Sequence, residues 1–165
     1  MSLHSDLVAL EGWLHNRIWP QGFGVCRDSL NNFQAVLHDL LWIFPLHAEE
    51  VQGLLITQRF HKVEWFEEER YQELFQEYRV HICVIEKLVL ELTKAANLVC
   101  DAVRTELSPS FRIAEGKAVA VFVNYFDEET AQFYNRRVVS EYDAAGAQLY
   151  PGLAQLKALC QEEET

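Results

Sequence analysis

Leu3, Leu7, Leu10, Leu14 and Ile18 recur at intervals of four, three, four and four residues. That spacing puts them on one helical face and predicts an amphipathic helix over residues 2–18. Trp19-Pro20-Gln21-Gly22-Phe23-Gly24 ends it, because proline and paired glycines do not continue a helix. Asp28 or Ser29 is placed to cap a second helix, whose core face reads Leu30, Phe33, Leu37, Leu40, Leu41 and Phe44. Pro45 stops or kinks that helix near Phe44.

From Leu46 to Leu107 there is no proline and one glycine, Gly53. As an unbroken helix this stretch would be about 93 Å long at 1.5 Å per residue. A folded chain of this size has a radius of gyration of roughly 15 Å, so a break is expected, and it is placed at Gln58–Lys62. The first piece, 47–58, carries Val51, Leu54 and Leu55. The second begins near Val63 and runs to Leu107. Its stripe is Tyr71, Leu74, Phe75, Tyr78, Ile82, Ile85, Leu88, Val89, Leu92, Ala96, Val99 and Val103. Steps of three and four hold one register there, which is the clearest structural signal in the chain.

Leu107-Ser108-Pro109-Ser110 ends the long helix. Beyond it, Phe111-Arg112-Ile113 and Lys117 to Phe126 flank Glu115-Gly116, and Val, Phe and Tyr are frequent in the second run. A small β-hairpin near residues 111–126 follows, turning at Glu115-Gly116; a buried helix over 117–126 is the competing assignment. Asp127-Glu128-Glu129 read as the acidic first turn of another helix carrying Phe133, Tyr134, Val138 and Tyr142. Leu153 to Cys160 reads as a short last helix. No internal repeat is visible, which argues against a solenoid. The expected fold is mainly α: an antiparallel helical bundle with one long helix, forming a single domain over 1–165.

Composition narrows the partners. In 165 residues, 14 Lys and Arg stand against 25 Asp and Glu, a net charge of −11. Such a chain is a poor candidate for direct nonspecific binding of nucleic acid, or for an anionic membrane surface. No apolar run is long enough to span a bilayer, and the first residues lack the basic and apolar regions of a secretory signal. Cys26, Cys83, Cys100 and Cys160 stand far apart and form no C-x-x-C pair. They are expected to be reduced thiols of a cytoplasmic protein.

Candidate chemistry is sparse. His47 and Glu50 are three residues apart, His61 and Glu64 are three apart, and Glu77 precedes His81 by four. On helices each pair shares a face, so a metal–carboxylate centre is one reading and a set of surface ion pairs the plainer one. The order His-x-x-Glu is the reverse of the Glu-x-x-His of ferritin-like di-metal bundles. Ser108-Pro109-Ser110 lacks the flanking glycines of a nucleophile elbow, Gly22-Phe23-Gly24 lacks a dinucleotide fingerprint, and no Walker lysine is present. No cofactor is implied. Arg104, Arg112, Arg136 and Arg137 form a cationic set suited to internal pairing or to an anion.

Glu69, Glu73 and Glu77 fall along one edge of the long helix, beside Trp65 and Phe66. Aromatic anchors with an acidic margin suit a docking face for a basic partner; a solvated helix face is the plainer account. These features point to a non-enzymatic interaction or regulatory domain. Its tentative binding face is Trp65, Phe66, Glu69, Glu73 and Glu77, and its partner another protein or a second copy of the chain. A metal-dependent bundle enzyme and a small-ligand-sensing bundle are the alternatives.

Overall fold

The computed structural model describes residues 3–19, 21–51, 54–62, 67–127, 132–143 and 149–163. The protein is mainly α. Helices α1 (Leu3–His15), α2 (Gly24–Ile43), α3 (Glu68–Glu106) and α4 (Leu153–Glu163) carry most of the chain, and α3 is 39 residues long. Two antiparallel hairpins are found among the described residues: β1 (Ala48–Val51) with β2 (Leu54–Thr57), and β3 (Ala120–Asp127) with β4 (Gln132–Val138). The chain divides into two compact units. One comprises residues 1–17, 34–88 and 151–165; the other comprises 18–33 and 89–150. Helices α2 and α3 supply residues to both.

In the first unit the buried residues are mostly large and aliphatic: Leu14, Val36, Leu37, Ile43, Val84, Leu88 and Leu156. The break expected at Gln58–Lys62 is present, because this segment follows β2 and α3 starts only at Glu68. The 47–58 piece is a hairpin, not a helix. A single 3₁₀ turn, Phe44–His47, leads from Pro45 into β1, and the Gln58 N–H donates to the His47 carbonyl at 2.8 Å, extending the ladder. Two residues, one of them glycine, separate β1 from β2 in sequence, the spacing of the commonest hairpins.

The second unit is built differently. Its buried residues are small or polar: Cys26, Ser29, Asn32, Thr93, Ala95, Asn97, Ala102 and Ala120. Such residues let backbones approach closely but leave polar atoms to be satisfied. Asn97 does this for the chain flanking the hairpin. Its Nδ2 donates to the carbonyls of Ala118 (3.2 Å) and Ser140 (3.0 Å), and its Oδ1 accepts from the Ala118 N–H (2.7 Å). The Tyr142 hydroxyl donates to Glu91 at 2.9 Å and accepts from Asn32 at 3.2 Å, while Asn32 Oδ1 accepts the Tyr150 N–H at 3.0 Å. Burial, first of all, pushes the Tyr142 phenol well above its ordinary range.

Helix α2 starts at Gly24, ahead of Asp28 and Ser29. Its first N–H groups are capped from far along the chain: Glu106 accepts from Val25 at 3.1 Å and Cys26 at 2.8 Å. Ser29 instead donates to the Cys26 carbonyl. The hairpin near 111–126 lies further on, at β3 and β4, and residues 127–142 hold β4 where a helix was expected. Residues 108–116 form consecutive turns, with Phe111 N–H bonded to Ser108 O and Gly116 N–H to Arg112 O. Arg112 (φ 51°) and Gly116 (φ 72°) are left-handed there, outside the dihedral range of regular strand. Opposite β4, β3 carries one extra residue: Val123 pairs with Asn135 but Tyr125 with Tyr134, a bulge at Asn124.

The stripe on α3 is also displaced. Of the twelve positions expected to face the core only Leu88 is fully buried, and the others are half-buried. The buried line is Val84, Leu88, Ala95 and Ala102, one residue earlier in the heptad than Ile85, Val89, Ala96 and Val103. From Val80 to Cys100 only Glu86 is exposed, so this part of α3 is covered nearly all round. Finally, the expectation of four reduced thiols does not hold. Cys83 and Cys160 are joined in a disulfide, leaving Cys26 and Cys100 free. No described helix is long and apolar enough to cross a membrane.

Candidate functional site

On α3, residues 73, 77, 80 and 84 follow one another at helical spacing and share a face. Glu73 and Glu77 are exposed, Val80 is half-buried and Val84 is 1% exposed. This face therefore runs from two carboxylates down to an apolar floor. It lines a cleft of about 620 Å³ in the first unit. Ile43 at the end of α2 and Leu46 and His47 of the 3₁₀ turn line it too, as do Phe60 after β2 and Lys157 and Gln161 of α4. Trp42, beside Ile43 in sequence, is 66% exposed, and Leu46 is 60% exposed.

A chain of ring contacts builds the wall beneath His47. Tyr71 stacks on Phe75 at 5.9 Å, and His61 meets Phe75 at 5.2 Å and Tyr78 at 4.5 Å. Phe60 meets Tyr78 edge-on at 5.6 Å and stacks against His47 at 4.0 Å; His47 meets His81 edge-on at 4.9 Å. Phe60 and His61 thus straddle Tyr78, which fixes the segment between β2 and α3 against the helix. Each ring pair contributes about 0.5–1.5 kcal/mol beyond the area it buries.

Burial, then the charges of His47 and Lys157, lowers the His81 pKa to about 4. His81 is therefore neutral at physiological pH. Its buried Nε2, like Nδ1 of the 6%-exposed His61, has no hydrogen-bond partner among the described residues. Glu73 is paired with Arg70 at 3.1 Å, both exposed.

The residues singled out from sequence are distributed as follows. Glu69, Glu73 and Glu77 are all exposed on α3, and the latter two line the cleft. Trp65 and Phe66 lie outside the described residues, as does Glu64. Glu50 is on β1, so it shares no helix face with His47. His47 and His81 come together, but no group of three His, Cys, Asp or Glu side chains among the described residues is arranged to hold a metal ion. Arg104 pairs with Asp101 and donates to the Phe111 carbonyl at 3.1 Å, and Arg136 lies over the Phe122 ring at 5.2 Å. Phe60, Val80 and Lys157 also line the cleft, and the sequence pattern does not mark them. Val80 falls off the stripe, and the other two are brought in by the hairpin and by α4, which local spacing does not reveal. The chain matches no family model, no curated protein and no solved structure.

Proposed function

We propose that the protein is a non-enzymatic binding domain that docks a basic segment of a partner protein in the cleft beside α3. The observation that carries this reading is the gradient along one helix face, from the carboxylates of Glu73 and Glu77 to Val80 and buried Val84. A segment with Lys or Arg beside apolar side chains matches that gradient. The net charge of −11 steers such a partner in, and salt weakens the steering. Neutral His81 accepts a hydrogen bond without repelling a cation. Lys157 on the α4 side is matched by a carboxylate or carbonyl of the same segment. A cytoplasmic setting is part of the proposal, and disulfides there are usually transient.

The test is equilibrium binding of two amphipathic peptides, one of lysine and leucine and one of glutamate and leucine. The lysine peptide binds, and binding weakens with salt. Phe60→Ala and Glu77→Gln weaken it further, whereas Glu115→Gln, the same charge change at an exposed turn of the second unit, leaves it unaltered. Equal effects of the two glutamate substitutions would reduce the interaction to net charge. A second reading, a small ligand with a polar group in the cleft, is favoured by the cleft's volume and by Nε2 of His81, which has no hydrogen-bond partner among the described residues.

A further inference from the structure

Helix α4 is 11 residues long, and its buried residues are Leu156 and Cys160. A helix this short is marginal by itself and depends on its anchors. One anchor is the apolar burial of Leu156. A second is covalent: Cys160 is bonded to Cys83 of α3, 77 residues earlier. The Lys87–Glu163 pair at 2.9 Å adds an ion pair whose Glu163 side chain is 56% exposed, which salt screens. The same helix brings Lys157 and Gln161 to the cleft.

We propose that Cys83–Cys160 is a thiol-exchange site, and that its redox state decides whether α4 stays in place as a wall of the cleft. The substrate class is a cellular dithiol. Cys160 is 0% exposed and Cys83 half-buried, so attack falls on Cys83. A thiolate of the dithiol bonds to Cys83 Sγ while the S–S bond breaks, and its electron pair leaves on Cys160 Sγ. The second thiolate of the dithiol then attacks its own sulfur in the mixed disulfide and releases Cys83. The protein gains two electrons and two protons, and the dithiol becomes a disulfide. Reduced, α4 loses its covalent tie to α3 and is held by side-chain contacts alone, and the cleft wall it carries loosens. The consequence for partner docking rests on the proposed function; the behaviour of α4 does not.

The experiment compares the full chain after treatment with oxidised glutathione and after dithiothreitol. Alkylation under denaturing conditions is expected to label two cysteines in the first sample, Cys26 and Cys100, and four in the second. Hydrogen exchange across 153–163 is expected to speed by roughly tenfold or more on reduction, with residues 88–100 unchanged. Cys160→Ser and Cys83→Ser each reproduce the reduced pattern without reductant. Four labelled cysteines after oxidised glutathione, or unaltered exchange in α4 on reduction, would overturn the proposal. Lysine-peptide binding, followed in both states, falls on reduction if the docking reading holds. Peptide binding in neither state, with α4 still responding, supports the latch and counts against docking alone.

Discussion

Asn97 and Ala118 are joined by reciprocal hydrogen bonds: Asn97 Nδ2 donates to the Ala118 carbonyl at 3.2 Å, and the Ala118 N–H donates to Asn97 Oδ1 at 2.7 Å. With the further bond to the Ser140 carbonyl, one 3%-exposed side chain holds the backbone on both sides of the β3–β4 hairpin. Asn97→Ala strands these backbone groups. It is expected to destabilise the protein by about 2–4 kcal/mol in urea titrations. Asn97→Asp keeps the acceptor for Ala118 N–H but puts a carboxylate against two carbonyls, so it does not rescue.

His81 makes stability depend on pH with a definite sign. Burial and the charges of His47 and Lys157 hold its pKa near 4, against 6.5 for an unperturbed imidazole. The groups around it are His47 on the 3₁₀ turn, Phe60 after β2, Lys157 on α4, and Glu77 on its own helix. Between these two pKa values the unfolded chain binds a proton that the folded chain refuses. The contribution is complete above pH 6.5 and is lost as pH falls towards 4. Discounted for solvent screening of a half-buried group, it is about 1–2 kcal/mol. Denaturation at pH 7.5 and 4.5 should show His81→Phe losing less stability than the parent between the two.

Glu106 caps the first turn of α2 from far along the chain, accepting from the N–H groups of Val25, 81 residues earlier, and Cys26, 80 residues earlier. The hydrogen bond from the Cys26 N–H, chiefly, holds its carboxyl below the ordinary range, and the Val25 N–H adds to it. This stabilisation is present above the unfolded carboxyl pKa and is lost as pH falls through the folded value. Glu106→Ala is expected to lower the melting temperature at pH 7 more than Glu106→Gln does, because glutamine keeps one acceptor. A scan at low pH should bring the parent towards the alanine variant.

The two units should be sensitive to opposite changes of side-chain volume. Leu88 is 0% exposed among large aliphatics, and Leu88→Ala is expected to cost about 2–5 kcal/mol. Ala95 is 0% exposed among small and polar residues, and Ala95→Leu overpacks the site by about 1–3 kcal/mol. Chemical denaturation of both variants checks the pair.

Much of the helical frame is legible in the sequence. Leucines at three and four residues mark α1, Pro45 ends α2, and Pro109 follows the end of α3. Strand β1 is hidden because Ala48-Glu49-Glu50 are good helix formers, and its partner is chosen by pairing rather than by local preference. Strand β4 is hidden because Asp127-Glu128-Glu129 resemble an acidic helix start. The core line of α3 is misplaced by one residue because large side chains dominate a periodicity reading, while Ala95, Asn97 and Ala102 do the close packing. For the candidate site, Glu73 and Glu77 are visible as an edge of α3. Phe60, Lys157 and the Cys83–Cys160 bond depend on contacts across long stretches of chain, and no spacing rule specifies them.

The docking account is tested most directly by hydrogen exchange with and without the lysine–leucine peptide at saturation. The account predicts added protection centred on 43–47, 73–84 and 157–161. Protection absent there, or confined to the β3–β4 hairpin and the turns before it, would contradict it.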